Sequence, residues 1–297
     1  MESDDLAVFL AAAEAGSLSR AAARLHTVQS AVTTRIRKLE DGLGVVLFRR
    51  HARGVSLTAA GETLLPFARQ VTRLLAEARQ AVTDADTPRG RLEVGALETT
   101  AALRLGRMLA GFATRFPQVE LTLRTGTTAE MVAQVLRQEL EAAFVCGPVA
   151  HAQLSTRPVF RERLVAVAAP GVPDLAAATA SGWVRILVLR RGCSYRQRLE
   201  DLLARRGVAV VQVLEYGTFD AVMACVSAGM GLTLLPAALL EQWAPRHAVS
   251  VLPLPGQEGD AETVLIRRTQ SYMSSAMRAF LDALPEVEVP RRLMAAE

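Results

Sequence analysis

Six side chains that can hydrogen-bond or carry positive charge lie close together in the segment from residue 29 to residue 37. They are one glutamine, three hydroxyl residues and two arginines: Gln29, Ser30, Thr33, Thr34, Arg35 and Arg37. Glutamine can bond to adenine through both amide atoms, hydroxyls reach bases or phosphates, and arginine reaches guanine or the DNA backbone. This chemistry suits the major groove of DNA. The alternative is an ordinary amphipathic helix with a solvated polar face.

The surrounding sequence carries a local excess of positive charge. Between Leu18 and Gly54 there are eight basic residues and two acidic ones. The basic residues are Arg20, Arg24, Arg35, Arg37, Lys38, Arg49, Arg50 and Arg53, and the acidic ones are Glu40 and Asp41. Such an excess can neutralise several phosphates, although a basic segment without further pattern is more often a solvated surface. The flanking elements therefore decide between the two interpretations.

Three predicted helices would position these side chains. Apolar spacing predicts a first helix over residues 4–15, which ends at Gly16. We expect Ser19 to cap a second helix that ends at Leu25, and Thr27 to cap a third over residues 28–41. The third helix has an apolar stripe that should face the first two helices: Val32, Ile36, Leu39 and Leu43. The polar residues named above then turn outward.

The segment VVLFRRHARGVSL, which follows Gly42 and Gly44, predicts two short strands joined by a polar tip. Together with the three helices, it predicts a winged helix-turn-helix. We expect the arginines of the wing, Arg49, Arg50 and Arg53, to contact phosphates or to enter the minor groove. The apolar residues that should anchor the wing to the core are Val46, Leu47, Phe48, Val55 and Leu57.

The stretch FLAAAEAGSLSRAAARLHTVQSAVTTRIRKLEDGLGVVLFRRHARGVSLTAAG resembles the DNA-binding region of the LysR-type transcriptional regulators. The resemblance implies that Gln29, Ser30, Thr33 and Thr34 lie at base edges, with Arg35 and the wing arginines nearer the backbone. Many members of that family have Pro at the position of Ser30 and Arg at the position of Thr34. The family pattern therefore does not specify the bases that this chain prefers.

A long helix is expected to follow, capped by Thr58 and reaching about Asp84, with a bend near Pro66. It carries a row with alternating steps of four and three, typical of a two-helix coiled coil: Leu64, Ala68, Val71, Leu75, Ala78 and Val82. The alternative is a helix that packs on its own domain. The family resemblance favours a homodimer, whose two DNA-binding domains would bind a dyad-symmetric site.

Beyond the polar segment at residues 84–90, strand-like and helix-like segments alternate. RLEVGA, VELTLR and AAFV are followed by LVAVAA, RILVLRR, VVQVLEY and GLTLLP, and TVLIRR with a helix over residues 277–284 returns to the first half. This alternation predicts an α/β domain with a largely parallel sheet. The resemblance extends through LEVGALETT, FATRFPQVELTLRTG, AFVCGP and VMACVSAGMGLTLLP. It implies a periplasmic-binding-protein-like module in which two subdomains hold an inducer.

Small polar residues follow four of these predicted strands and open helices. Each could be a simple helix cap, but their recurrence predicts a cleft at the carboxyl ends of the strands. The expected effector-binding residues are Glu98, Thr99, Thr100, Thr127, Thr128, Cys193, Ser194, Tyr195, Thr218, Phe219 and Asp220. Hydroxyls and helix N-termini favour a small anion such as a carboxylate.

Cys193 lies among arginines at a predicted helix N-terminus, which predicts a lowered thiol pKa. This leaves open a thiol-based redox-sensing regulator. The G-C-S-Y-R pattern, however, resembles an inducer-pocket loop in non-redox branches of the family, which favours ligand contact or a structural role. Cys146 and Cys225 lie in apolar runs and are expected in the core. The spacing of the cysteines and histidines predicts neither a disulfide nor a metal site.

The sequence therefore predicts a winged helix-turn-helix over residues 1–58, a dimerisation helix and hinge over 59–89, and an effector-binding domain over 90–297. Within the last, subdomain I is expected over about 90–161 and 266–292, and subdomain II over about 162–265. The predicted function is a ligand-responsive regulator that binds dyad-symmetric promoter sites. An α/β enzyme with a DNA-binding arm is less favoured, because no nucleophile elbow, phosphate loop or dinucleotide fingerprint occurs.

The expected partners are double-stranded DNA, a small-molecule effector and a second copy of the chain. The family resemblance extends these to a homotetramer and to RNA polymerase, and we expect no cofactor. We expect a soluble cytoplasmic protein with no membrane contact. The N-terminus is acidic where a signal peptide would be basic, and no apolar run approaches the roughly 20 residues of a membrane span.

Overall fold

The computed structural model describes residues 1–52, 54–84, 87–189, 192–243 and 247–285. The chain divides into two compact units: the N-terminal unit, Met1–Asp84, and the C-terminal unit, Ala85–Glu297. Within the described residues, no single helix has the length and hydropathy needed to cross a bilayer. Only the first two helices pass that test as a pair, and they are bent by 119°.

The N-terminal unit has four helices and a two-stranded wing in its described residues. In chain order they are α1 (Ser3–Ala15), α2 (Leu18–Arg24), α3 (Gln29–Leu43), β1 (Phe48–His51), β2 (Gly54–Leu57) and α4 (Ala59–Thr83). The strands pair antiparallel, with Phe48 opposite Leu57. These elements confirm the winged helix-turn-helix followed by a long helix, and Thr58 caps α4 as expected.

Two of the expected helix caps are wrong. Ser17, not Ser19, caps α2, and its Oγ accepts a hydrogen bond from the Arg20 N–H at 3.4 Å. Val28, not Thr27, is the N-cap of α3 and supplies no side-chain acceptor. The Thr27 N–H instead bonds to the carbonyl of Ala22, which keeps Thr27 in the turn after α2. The first error arises because two serines stand near the start of α2, and the second because α3 begins without a side-chain cap.

The core of the N-terminal unit confirms the apolar stripe of α3 up to Leu39. Val32, Ile36 and Leu39 are at most 1% exposed. Leu43, however, is 39% exposed, because α3 ends there and Gly44 turns the chain in a left-handed conformation. Leu47 is buried in that core cluster, while the expected wing anchor Val46 is exposed. The other anchors, Phe48, Val55 and Leu57, belong to the core cluster or pack against it.

The wing is fixed by backbone contacts at two glycines and by one carboxylate. The Val55 N–H bonds to the carbonyl of Gly16, and a Cβ at Gly54 would overlap that same oxygen. A Cβ at Gly61 would likewise overlap the carbonyl oxygen of Leu47. Glu40 Oε1 accepts hydrogen bonds from the N–H groups of Leu47 and Phe48 at 2.8 and 3.2 Å. The wing is therefore held against both α3 and the turn before α2.

The predicted heptad row of α4 divides into two parts. Its first members, Leu64 and Ala68, pack on the core of the N-terminal unit itself. The later members Val71, Leu75 and Val82 are exposed, and so are the neighbouring apolar side chains Phe67 and Leu74. Pro66 lies inside the continuous helix. The start of α4 thus belongs to its own unit, and its remaining length presents an apolar face.

The described part of the C-terminal unit contains the remaining strands and helices. In chain order they are β3 (Gly90–Ala96), α5 (Glu98–Thr100), a π-helical segment (Ala101–Leu105), α6 (Gly106–Arg115), β4 (Val119–Thr125), α7 (Thr128–Leu136), β5 (Ala142–Cys146), β6 (Leu154–Ala168), α8 (Leu175–Ala178), β7 (Trp183–Leu189), α9 (Ser194–Arg205), β8 (Ala209–Tyr216), α10 (Phe219–Ser227), β9 (Thr233–Pro236), α11 (Ala237–Trp243), β10 (Ser250–Pro253), a 3₁₀ turn (Gly256–Gly259), β11 (Asp260–Arg268) and α12 (Ser275–Asp282).

Two subdomains share the long strand β6. In subdomain I, β4, β3 and β5 are parallel, and β11 runs antiparallel between β5 and the first part of β6. In subdomain II, the last part of β6 pairs antiparallel with β9 and β10, and β7 pairs parallel with β8. The sheets are therefore mixed rather than largely parallel. The expected return of TVLIRR to the first half is confirmed, because β11 pairs with β5.

The sheet of subdomain I is buried on both faces. Phe144 of β5 packs in a cluster with Phe112 and Phe280, while its neighbours Ala143 and Val145 pack in another cluster with Met131 of α7. This alternation follows from the two-residue period of a strand. Leu97 and Cys146, which follow or end strands of subdomain I, instead pack with the core of subdomain II. The two subdomains therefore meet at the carboxyl ends of these strands.

Candidate functional site

The first two turns of α3 divide sharply between a buried and an exposed side. Gln29, Ser30, Thr34 and Arg37 are exposed, and Thr33 is half-buried. Val32 and Ile36 of the same helix are buried against the core. The hydrogen-bonding side chains at the start of α3 are therefore presented on one surface, which is the arrangement that base readout in a groove requires.

Gln29 is held by two hydroxyl groups. Ser19 Oγ, on α2, donates a hydrogen bond to Gln29 Oε1 at 2.8 Å. Thr33 Oγ1 donates to the backbone carbonyl of Gln29 at 3.0 Å, which fixes the first turn of α3. Of the hydroxyl residues expected at base edges, Thr33 is thus engaged within its own helix. Ser19 did not emerge as a site residue from the sequence, where we expected it to be a cap.

Arg35 is engaged with α1 through two carboxylates. Its guanidinium lies 3.3 Å from Asp5, whose side chain is buried, and 3.7 Å from the exposed Asp4. Next to it, Lys38 pairs with Glu2 at 2.6 Å, and the hydrogen bond that Lys38 donates to that carboxylate raises the pKa of Lys38. These pairs fix α3 against α1. Arg35 therefore has a packing role in this structure that its position in the sequence did not indicate.

The wing presents two of its three expected arginines to solvent. Arg49 and Arg50 are exposed residues of β1. Arg53 lies outside the described residues. Neighbouring strand residues point to opposite faces, so Arg49 and Arg50 project from the two sides of the wing. Each side of the wing therefore carries one positive charge from β1.

A cleft of about 480 Å³, counting the space open to solvent, lies between the two subdomains. Its lining includes seven of the eleven expected effector-binding residues: Glu98, Thr99, Thr127, Cys193, Ser194, Tyr195 and Phe219. It also includes five residues that the sequence did not single out: Leu97, Gly126, Leu189, Tyr216 and Gly217. These five lie at strand ends or between a strand and its following cap. Leu97, Gly126 and Gly217 lie one or two residues beyond predicted strand ends, and Leu189 and Tyr216 lie within the last residues of predicted strands, so inspecting the strand ends together with the following residues would have found all five.

The cleft residues are positioned by helix caps and by hydrogen bonds between the subdomains. Thr127 caps α7 in a reciprocal capping box with Glu130. Ser194 Oγ donates to Thr128 Oγ1 at 2.7 Å, and the hydroxyls of Thr99 and Tyr195 are 3.4 Å apart. The Ser194–Thr128 pair and the Thr99–Tyr195 pair each join the two subdomains. They hold the strand ends of subdomain I against the start of α9.

Four expected effector-binding residues do not line the cleft. Thr100 is buried, and the Thr128 hydroxyl accepts hydrogen bonds from Ser194 and from the backbone N–H of Cys146. Thr218 is exposed and caps α10, where its Oγ1 accepts from the Ala221 N–H. Asp220 is exposed in the first turn of α10. The observed contact of Thr218 is therefore that of a helix cap.

The expected low pKa of Cys193 is wrong. Burial raises the pKa of this thiol, and the Glu98 carboxylate also raises it, while hydrogen bonds from the backbone of α9 and the charge of Arg196 act in the opposite direction. Burial likewise raises the pKa of the Cys146 thiol. Arg196 is itself paired with Glu200 and Glu215. The thiols are therefore protonated at neutral pH, and redox sensing through Cys193 is not favoured.

The chemistry of the cleft combines hydrogen-bonding groups with apolar walls. Burial raises the pKa of Tyr195, so its hydroxyl stays protonated and can donate. The N-termini of α7 and α9 face the same region through Thr127 and Ser194, while Leu97, Leu189 and Tyr216 supply apolar surface. No group of three or more His, Cys, Asp or Glu side chains in the described ranges is arranged to hold a metal ion. The cleft is suited to binding a small molecule with both polar and apolar parts.

Comparison with known proteins places both units in one group. The model of the bacterial regulatory helix-turn-helix protein, lysR family, matches residues 3–62, and the model of the LysR substrate binding domain matches residues 85–288. The chain is 40% identical to the HTH-type transcriptional regulator YusT of Bacillus subtilis (strain 168) over 97% of each chain. It is 36% identical to the regulator GltR of the same strain over 93% of each chain.

Two solved structures have a fold similar to that of this chain over most of its length. A full-length structure of CbnR complexed with its target DNA has a TM-score of 0.67 to this chain at 26% identity, and the match covers 96% of this chain and 99% of that one. A full-length variant of OxyR from Pseudomonas aeruginosa has a TM-score of 0.70 at 22% identity, over 95% and 94% of the two chains, which shows a shared fold.

Proposed function

The chain belongs to the LysR family of ligand-responsive DNA-binding transcriptional regulators, and from this we propose which of its residues read DNA, pair two copies and bind the effector. The relatives named above are regulators, and this chain is a regulator rather than an enzyme. It combines a helix-turn-helix with a substrate-binding domain of the same family.

We propose that the start of α3 reads base edges through Gln29, Ser30, Thr33 and Thr34. The observation that carries this proposal is the division of α3: Gln29, Ser30 and Thr34 are exposed, while Val32, Ile36 and Leu39 are buried. Arg37 and the wing residues Arg49, Arg50 and Arg53 would contact phosphates. Arg35 would lie nearer the DNA backbone than the base-reading residues and would stay paired with Asp5.

A second copy of the chain is the proposed partner of α4. The exposed apolar side chains from Phe67 to Val82 recur along the helix, and such a face is stable in water when another apolar helix covers it. Two reading helices would then bind a dyad-symmetric site. Sedimentation of the full chain tests this, and a monomer at micromolar concentration would contradict it. A homotetramer and a contact with RNA polymerase extend the proposal on the family resemblance alone.

We propose that the effector is a small anion with an apolar part, bound in the cleft between the subdomains. Hydroxyls of Thr99, Thr127 and Ser194 and the N-termini of α7 and α9 suit a carboxylate, and the apolar wall suits the rest of the molecule. Since a ligand shifts only states that it binds differently, the two subdomains must change their relative position on binding. A thermal-shift screen of small carboxylates tests this, because an effector at 100 times its dissociation constant stabilises by about 2.7 kcal/mol.

The base-reading proposal is tested by Gln29→Ala in the full chain. We expect a loss of about 1 to 3 kcal/mol of discrimination at one base pair of each half-site, the usual cost of a lost bidentate contact. The measurement is competition binding between a promoter fragment and its single-base variants. Gln118→Ala, which removes an exposed glutamine from the C-terminal unit, is the matched control. An unchanged base preference in Gln29→Ala would contradict the proposal.

A further inference from the structure

We propose that Ser19 is a positioning residue that sets the orientation of the Gln29 amide and thereby contributes to base specificity. This inference rests on the proposed base-reading role of Gln29. The two side chains come from different helices, α2 and α3, and both are exposed. Ser19 Oγ donates to Gln29 Oε1 at 2.8 Å, which is a normal length for a hydroxyl hydrogen bond.

The backbone on both sides of this hydrogen bond is held firmly. Leu18, Ala21 and Ala22 of α2 are buried, so the helix turn that carries Ser19 is fixed against the core. Ser17 supplies the cap of α2, which leaves the Ser19 hydroxyl available for α3. On the other side, the Thr33 hydroxyl bonds to the Gln29 carbonyl. Only the rotation of the Gln29 side chain remains to be set.

The glutamine amide has two different ends, so its orientation decides what it offers to a base. Oε1 accepts hydrogen bonds and Nε2 donates two. In this structure Ser19 donates to Oε1, so Oε1 faces α2 and Nε2 is directed away from it. Nε2 then donates to acceptors in the major groove, such as adenine N7, guanine N7 and O6, and thymine O4, while the second lone pair of Oε1 can still accept from adenine N6 in a bidentate contact. Without the Ser19 hydroxyl, either end of the amide can face the base.

The experiment compares four variants of the full chain: Ser19→Ala, Ser19→Thr, Gln29→Ala and the double variant Ser19→Ala with Gln29→Ala. Each is measured by competition binding against the promoter fragment and the four sequences at the base pair that Gln29→Ala identifies. We expect Ser19→Ala to lower discrimination there by about 3- to 10-fold, the value of one neutral hydrogen bond. Ser19→Thr, which keeps the hydroxyl, should retain discrimination, and the double variant should equal Gln29→Ala.

Two further measurements distinguish a positioning role of Ser19 from a structural role and from a contact with phosphate. The melting temperature and the salt dependence of binding should stay unchanged in Ser19→Ala, because no charge and no buried group is removed. Ser181→Ala, which removes an exposed serine hydroxyl from the C-terminal unit, is the control for handling and folding. It should leave both affinity and base preference unchanged.

The outcomes test the positioning role of Ser19 separately from the base-reading role of Gln29. If Gln29→Ala lowers discrimination and Ser19→Ala does not, the positioning role is wrong and the base-reading role stands. If Ser19→Ala weakens binding to all sequences equally, and its effect adds to that of Gln29→Ala, Ser19 contacts the DNA backbone and the inference is overturned. If Gln29→Ala leaves base preference unchanged, both fail together.

Discussion

The two units of this chain build their candidate sites in opposite ways. In the N-terminal unit, the proposed base-reading residues lie on one helix, within residues 29–37, and most of them are exposed. In the C-terminal unit, the cleft residues come from separate strand ends between Leu97 and Phe219, and several are buried. A surface that must enter a groove can be carried by one element, whereas a cavity requires several elements to converge.

Two local contacts, one in each unit, are of different kinds. The wing of the N-terminal unit is held by close backbone approach at Gly54 and Gly61. Subdomain I instead contains a paired charge at its edge with subdomain II: Glu162 of β6 accepts hydrogen bonds from Arg104 Nε at 2.8 Å and from a second guanidinium nitrogen at 3.2 Å. The wing should therefore be sensitive to added volume at these two glycines, and the contact of β6 with the π-helical segment should be sensitive to loss of the Glu162 charge.

The largest effect is expected from Gly54→Ala in the N-terminal unit. Its φ is +136° and a Cβ would overlap the Gly16 carbonyl, so we expect a loss of about 3 kcal/mol in the free energy of unfolding, since overpacking and backbone strain each cost about 1 to 3 kcal/mol. Trp183 and Trp243, both in the C-terminal unit, are the only tryptophans. Urea unfolding followed by far-UV circular dichroism should therefore shift, while the tryptophan fluorescence transition should not.

Gly44→Ala is the matched control for that variant. Gly44 also has a positive φ, 69°, but nothing lies within 4 Å of its Cβ position. Its substitution should cost about 1 kcal/mol, the value of the left-handed backbone conformation alone. Equal losses in the two variants would show that strain, rather than contact with the turn before α2, controls the wing.

A smaller effect is expected from Glu162→Gln in the C-terminal unit. The Glu162 side chain is 6% exposed, and removing its charge should cost about 2 kcal/mol, within the range for hydrogen bonds to charged groups. Tryptophan fluorescence in urea is the measurement. Glu120→Gln breaks the exposed pair with Arg91 and should change stability by less than about 1 kcal/mol. If the two variants lose the same amount, burial does not make the Glu162–Arg104 pair more stabilising than an exposed pair.

The smallest effect concerns the reactivity of Cys193. Because burial raises its pKa, the thiol should alkylate slowly at pH 7 and faster only as the pH rises past the ordinary cysteine value of about 8.5. The folded state holds this proton more tightly than the unfolded state. The stabilisation that comes from this tighter proton binding is therefore complete below the ordinary cysteine pKa of about 8.5. It is lost as the pH rises through the raised pKa of folded Cys193.

Mass spectrometry of iodoacetamide-treated protein across pH 6 to 10 measures this reactivity. The urea-unfolded chain, whose thiol has its ordinary pKa, is the control. Rapid modification of folded Cys193 at pH 7 would contradict the raised pKa and would restore the redox-sensing alternative.

Local patterns in the sequence were sufficient for the N-terminal unit but not for every residue in it. Helical spacing identified α3 and the buried Val32, Ile36 and Leu39, because these depend on neighbours three or four residues away. The pattern failed at Leu43, where Gly44 redirects the chain, and at the start of α4, where Leu64 and Ala68 pack on their own unit. Spacing shows that a residue is apolar, but not which surface will cover it.

The C-terminal unit shows a different limit. The polar residues after strands could be read from the sequence, and seven of the eleven line the cleft. Thr218 and Thr128 could not be separated from them, because a helix cap and a ligand contact use the same residue types. The pKa of Cys193 failed for a related reason: its arginine neighbours are visible in the sequence, while the burial that dominates the pKa depends on the assembled fold.

The pairing of β11 with β5 and β6 also has a consequence for the order of events during synthesis. The N-terminal unit is complete once residue 84 has emerged from the ribosome, but subdomain I lacks a strand between β5 and β6 until residues 260–268 arrive. At about 5 to 20 residues per second, this interval lasts roughly 10 to 40 s. During that time the N-terminal unit of the nascent chain could be folded, while the C-terminal unit would still lack β11 and could not complete its cleft.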